Sequence, residues 1–146
     1  MTLFLLDTNV VSEEMNRRPD PSVVAWMQRV ELETAFLSVI SLGEIERGIA
    51  SLERRAGGPT RRSRELAEWL TLALIPRFEG RILHVTLPIA RRWGQMLDEQ
   101  AGKGLPPPWG DTMIAATAAQ HGLTVVTRNT ADFQSLGVSF LNPWEE

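Results

Sequence analysis

The sequence predicts an α/β protein in which a parallel sheet of four to five strands carries helices on both faces. Three observations predict it. Short apolar runs alternate along the chain with stretches whose apolar residues recur at helical spacing, the pattern of strand–helix–strand units. The opening run, Thr2-Leu3-Phe4-Leu5-Leu6, reads as a buried strand and runs straight into Asp7. The stretch from Asp111 to His121 is almost wholly apolar, which marks a helix buried on all sides.

Each element has its own warrant. After the first strand, Thr8 to about Asn16 reads as a short helical turn ended by Arg17-Arg18-Pro19. Pro21 suits a first helical position with Asp20 as its cap, and Val23, Val24, Trp26, Met27 and Val30 form the apolar stripe of that helix. Ala35 to Ile40 reads as the second strand. Ser41 is expected to open the next helix, with Leu42, Ile45, Ile49 and Leu52 on one face and Gly57-Gly58-Pro59 as its stop.

Arg61 to Ile75 is a further helix, with Leu66, Trp69, Leu70, Ala73 and Leu74 inward. Pro76 and Gly80 are expected to break it. Arg81 to Thr86 reads as the third strand. Pro88 starts a long helix that buries Ile89, Trp93, Met96 and Leu97 and ends at Gly102 and Gly104. Leu105 to Gly110, with three prolines, is expected to be a rigid loop before the buried helix. Gly122 turns into the fourth strand, Leu123 to Thr127. A short helical segment follows, and Val138 to Leu141 makes a fifth strand at the edge.

Length and composition bound the function. The 146 residues suit one domain spanning 1–146. No run approaches the roughly 20 apolar residues of a membrane span, and the N-terminus lacks the basic start of a signal peptide, so the expected location is cytoplasmic. There is no cysteine, hence no disulfide framework and no thiolate zinc site. A net charge of −3 argues against gripping nucleic acid by bulk charge. Lys103 is the only lysine; the other cations are arginines, six of them between Arg47 and Arg64, a stretch that reads mainly as a solvated helix face and loop.

In an open parallel sheet, strands end and the following helices begin on one edge. Asp7 ends the first strand, Glu44 lies in the first turn of the helix expected from Ser41, and Asp111 opens the buried helix. Asn129 follows the fourth strand, with Asp132 three residues on. Each has two readings that the sequence leaves open. Asp7-Thr8-Asn9 is also a helix cap. Ser41-Leu42-Gly43-Glu44 fits a capping box, with Glu44 on the polar side of its helix. Asp111 is also an N-cap, and Asn129 a turn residue. The joint placement on one rim favours a ligand. Carboxylates packed together repel, and a hard divalent cation removes that cost. Oxygen donors without cysteine, and with His84 and His121 unplaced near them, favour Mg²⁺ or Mn²⁺ over zinc.

Four blocks of residues then carry a resemblance. They are Leu5 to Ser12; Leu37-Ser38 through Glu44 with Gly48; Asp111 to Ala118; and Thr127-Arg128-Asn129 with Asp132-Phe133. Together, with the closing Phe140-Leu141-Asn142-Pro143-Trp144, the chain resembles the PIN-domain proteins over essentially its whole length. It is more closely similar to the VapC toxins of type II toxin–antitoxin systems, in the branch that includes the trafficking protein FitB. The resemblance implies a three-layer α/β/α sandwich, a homodimer, and Mg²⁺- or Mn²⁺-dependent endoribonuclease activity. It also implies a small antitoxin with a DNA-binding part, whose tail covers the toxin's site.

Carried onto this sequence, it makes Asp7, Glu44 and Asp111 the metal-holding acids, Asp7 and Asp111 directly and Glu44 either through water or by orienting the attacking water. Asn129 stands where many members have a fourth acid. Asp132 has two readings, a cap for the segment at Phe133, which is favoured, or compensation for the missing fourth acid. Thr8 and Thr127 match supporting hydroxyls, and Asn9 is expected to orient a carboxylate. Two other functions compete. One is a non-catalytic dimeric partner that holds DNA-binding antitoxins. The other is a phosphatase of the haloacid dehalogenase type, which needs a second acid where Asn9 stands.

Overall fold

The computed structural model describes residues 1–105 and 108–146. The expected rigid loop falls partly on Pro106 and Pro107, outside the described residues. Five parallel strands form one sheet in the order β3-β2-β1-β4-β5. They are β1 (Phe4–Leu6), β2 (Ala35–Ser38), β3 (Ile82–Leu83), β4 (Thr124–Val126) and β5 (Phe140–Leu141). β1 is central, with Leu5 opposite Phe36 on one side and Val125 on the other.

The strand period of two divides the core. Leu6, Ala35, Leu37 and Val126 face one layer of helices: α1 (Thr8–Val11), α2 (Pro21–Arg29), α3 (Val39–Ala56) and α4 (Arg61–Trp69). Leu5 and Val125 face the other, where α7 (Trp109–His121) brings Ile114, Ala115 and Ala118, and α8 (Thr130–Ser135) brings Phe133. Between them they leave no water-facing side to the central strands, as a parallel sheet requires. Ile89 of α6 (Leu87–Gly102) packs on Met113 and Ala116 of α7.

Local chemistry moves several boundaries from their expected places. α3 starts at Val39, not Ser41, because Ser38 is its cap: its hydroxyl accepts the Ile40 N–H at 3.0 Å. The expected Ser41–Glu44 capping box is therefore absent. Ser41 is fully buried inside the first turn, and its hydroxyl has no hydrogen-bond partner among the described residues. β3 stops at Leu83 because its partner β2 ends opposite it at Ser38 and turns into α3, so His84, Val85 and Thr86 have no ladder to join.

Pro76 does not end its helix. Proline in a regular helix lacks an N–H and collides with the carbonyl one turn back. Here a wider π turn over Leu70–Leu74 precedes α5 (Ile75–Arg77), with the Ile75 N–H bonded to the Leu70 carbonyl. The helical path then delivers Phe78 to a fully buried position that sequence spacing does not indicate. α2 is as expected, with Asp20 accepting the N–H groups of Ser22 and Val23.

Candidate metal centre

The strand order changes direction between β1 and β4, and the crevice at such a switch point is where open α/β sheets take ligands. Asp7 and Thr127 are the residues directly after these two strands. Their backbones extend the sheet: the Asp7 N–H donates to the Val126 carbonyl and the Thr127 N–H to the Leu141 carbonyl, both at 2.9 Å. Their side chains then meet across the crevice. The Thr127 hydroxyl donates to Asp7 Oδ2 at 2.8 Å, and the Thr8 N–H to Asp7 Oδ1 at 2.8 Å. Asp7 is 3% exposed and Thr127 is fully buried. Asp7 is thus both cap of α1 and rim acid; the two readings of the sequence are compatible.

Glu44 reaches the same rim from the exposed side of α3, in the second turn. Its Oε1 accepts the Thr8 hydroxyl at 2.8 Å. Thr8 therefore ties two acids together, by its amide to Asp7 and by its hydroxyl to Glu44. Glu44 Oε2 also lies 3.5 Å from where a Cβ on Gly110 would stand, which puts this carboxylate in van der Waals range of the start of α7.

Asp111 is not the first residue of its helix. α7 begins at Trp109, which places Asp111 in the first turn, half-buried, pointing at the other acids. Burial pushes its carboxyl up to about 7, and a hydrogen bond with the Asp132 carboxyl and the charges of Asp7, Asp132 and Glu44 push the same way. Burial also raises Asp7. The Thr127 and Thr8 hydrogen bonds oppose that rise, while Glu44 and Asp132 add to it.

The fourth position differs from expectation. Asp132 does not cap α8. It lies in the first turn, on the side facing Asp111, and supplies the fourth carboxyl of the rim. Asn129 precedes α8 as its N-cap residue but makes no side-chain cap bond; its backbone N–H donates to the Thr127 hydroxyl at 2.9 Å. Asn129 therefore fixes Thr127, which fixes Asp7. α8 is itself clamped from α6. Gln100, 3% exposed, donates to the Ser135 carbonyl at 3.2 Å and accepts the Ser135 hydroxyl at 3.0 Å. Asn9 is not bonded to any carboxylate among the described residues; its Oδ1 is buried without a partner.

These residues suit a hard divalent cation. Every charge that acts on Asp7 or Asp111 is negative, and among the described residues no ion pair involves the four acids. Among the described residues, no three His, Asp or Glu side chains stand close enough together to hold a metal ion by themselves. An open rim is what Mg²⁺ takes: one or two carboxylates, with several waters retained. The two histidines stand apart from it.

Sequence reasoning overlooked the Gln100–Ser135 clamp and, of its two readings of Asp132, put the cap ahead of the fourth acid. One signal was available for Asp132. A spacing of three from Asn129 puts both on the same side of a helix start.

Comparison with known proteins agrees with this architecture. A family model described as "PIN domain" matches residues 4–138. Toxin FitB of Neisseria gonorrhoeae is 38% identical over 144 residues, covering 99% of this chain and 100% of that protein. VapC ribonuclease Y4jK of Sinorhizobium fredii is 33% identical over 144 residues, covering 98% and 99%. The solved structure of FitAB bound to an IR36 DNA fragment aligns with a TM-score of 0.86 at 37% identity, covering 97% of this chain and 96% of that one.

Proposed function

This chain belongs to the PIN-domain family, and on that premise we propose that it is a metal-dependent endoribonuclease serving as the toxin of a toxin–antitoxin pair. The observation that carries the reading is the rim of Asp7, Glu44, Asp111 and Asp132, four carboxyls gathered together with no ion pair among the described residues. Residues 1–146 act as one domain, in the cytoplasm. No helix among the described residues is long and apolar enough to cross a membrane. The working form is a homodimer bound to a small DNA-binding antitoxin, in line with the relatives that are toxins or toxin–antitoxin complexes.

Asp7 and Asp111 would hold Mg²⁺ or Mn²⁺, with Glu44 and Asp132 completing the acidic rim around it. A bound ion offsets the carboxylate repulsion and stabilises the charge that builds on a phosphodiester under attack. The protein's part is orientation. Thr8 and Thr127 keep both oxygens of Asp7 aimed by hydrogen bonds at 2.8 Å. Glu44, held by the Thr8 hydroxyl, is placed to orient an attacking water. Asp111 keeps its proton to about pH 7 in the metal-free chain, so proton and cation compete for it. Hydrolysis leaves a 5′-phosphate and a 3′-hydroxyl.

The test is cleavage of RNA by the purified chain with Mg²⁺ or Mn²⁺, and its arrest by chelator. Loss of an outer partner of a metal ligand costs about 10–100-fold, so Asp7→Asn and Asp111→Asn should each lose more than about 100-fold. Variants that cut as well as the parent would sink the assignment.

The uncompensated acids also favour a second reading, a receptor for an arginine-bearing antitoxin tail in a DNA-binding complex without catalysis. In that case the same variants lose the antitoxin, and the parent shows no nuclease activity.

A further inference from the structure

We propose that Trp109 and Arg128 hold the RNA chain on the two flanks of the acid rim, Trp109 by stacking on an unpaired base and Arg128 by pairing with a backbone phosphate. The inference rests on the ribonuclease reading above and deepens it.

Trp109 is the one exposed tryptophan of five, at 56% exposure; Trp26 and Trp69 are buried, and Trp93 and Trp144 are partly covered. Its backbone is nevertheless held firmly. The Trp93 indole N–H donates to the Trp109 carbonyl at 3.3 Å, and both the amide and the hydroxyl of Thr112 bond the Pro108 carbonyl at 2.9 Å. An apolar ring left in water on a fixed base is preorganised to bind, since little freedom remains to be lost. Side chains on a helix lean toward its N-terminus, which for α7 is the rim. Asp111 lies two positions after Trp109, roughly 200° around the helix. The indole therefore stands beside the metal centre rather than in it.

Arg128 flanks the rim from β4. It directly follows Thr127, whose hydroxyl holds Asp7. Its guanidinium lies over the Trp144 ring, 5.1 Å from the centroid, and makes no ion pair or hydrogen bond among the described residues. It is also absent from the charges that act on Asp7 and Asp111. A guanidinium inside the rim would take the cation's place. One stacked just outside keeps its N–H fork free for a neighbouring phosphate, the geometry at which arginine excels.

The three features in sequence are a π-face, a cation site for a phosphodiester and a free guanidinium. They match a nucleotide chain, and the base must be unpaired because duplex bases are already stacked. With a net charge of −3, the attraction has to be local in this way.

The test uses the full chain carrying Asp7→Asn, so that RNA is held but not cut. Binding of a labelled short oligouridylate and of a labelled RNA hairpin is followed by fluorescence anisotropy with Mg²⁺ over a range of salt. The single strand should bind more tightly. Trp109→Ala should weaken it by about tenfold or more, and Trp109→Phe should recover most of the loss. Arg128→Ala should flatten the dependence of log affinity on log salt by about 0.7, with Arg128→Lys retaining the slope.

If the chain with Asp7 intact cleaves RNA but the Trp109 and Arg128 variants bind like their Asp7→Asn parent, the flanking roles are wrong and the ribonuclease reading stands. If it neither cleaves nor binds RNA, both readings fall. A Trp109→Ala protein that loses its dimer in sedimentation would make Trp109 an interface residue instead and overturn its stacking role.

Discussion

Glu14 and Asp111 are both acids on helical turns at the edge of the core, and their surroundings are opposite. Glu14 Oε1 accepts the Trp69 indole N–H at 3.0 Å and an Arg77 N–H at 2.8 Å. The chain itself closes that carboxylate, and the closure joins the turn after α1 to the α4–α5 segment. Asp111 faces Asp132, Asp7 and Glu44 and no cation, and its carboxyl is pushed up to about 7. Among the described residues, no cation closes it. Residue type does not separate a structural acid from a functional one; the sign of the neighbouring charge does. A protein keeps like charges together at a cost unless a ligand removes it.

Three changes test that contrast. The largest effect separates Asp132 from Asn129. Asp132→Asn should weaken Mn²⁺ binding by about 10–100-fold by calorimetry, while Asn129→Ala, which keeps the backbone bond to Thr127, should stay close to the parent. The reverse result would return the fourth position to Asn129.

Next comes pH. A carboxyl raised to about 7 in the folded state binds its proton more tightly than in the unfolded chain. Its effect on stability is nil below the ordinary carboxylate range and grows unfavourable as pH rises through 7. In chelator, the parent should therefore lose stability as pH rises from about 4, the ordinary carboxylate value, to about 8, roughly one unit above the raised value. Asp111→Asn should flatten that decline. Added Mn²⁺ should restore the parent at pH 8 and much less near pH 5, an expectation checked by thermal melts (roughly the same window).

The smallest effect belongs to Glu14. Glu14→Gln should cost on the order of 1 kcal/mol in urea unfolding, since it loses a charge-assisted bond that solvent partly screens. It should leave RNA cleavage intact. Lost cleavage at unchanged stability would erase the distinction between the two acids.

Much of the fold is legible in the sequence because it rests on local periodicity. The stripe Val23, Trp26, the cap at Asp20 and the alternation of strands and helices need only neighbours a turn away. The rim is legible at Asp7, where an apolar run meets an acid. It is less so at Glu44. Ser38 and Ser41 are equally good caps on paper, and choosing Ser41 puts Glu44 in the wrong turn. Which serine caps depends on where β2 stops pairing with β3, a long-range fact. Pro76 misleads because proline reads as a stop, while a π turn lets the helix carry Phe78 into the core.

By itself, the sequence determined the alternation of strands and helices and the placement of Asp7, Glu44 and Asp111 as candidates on one rim, because hydrophobic spacing and strand ends are local properties of the chain. Only the tertiary structure decided that Asp132 completes the rim, that Asn129 acts through its backbone, and that Arg128 stays outside it. Those outcomes depend on how α8 is clamped by Gln100 and how Trp144 lies against β4. The electrostatics of a carboxyl are set by groups far apart in sequence, and spacing along the chain cannot count them.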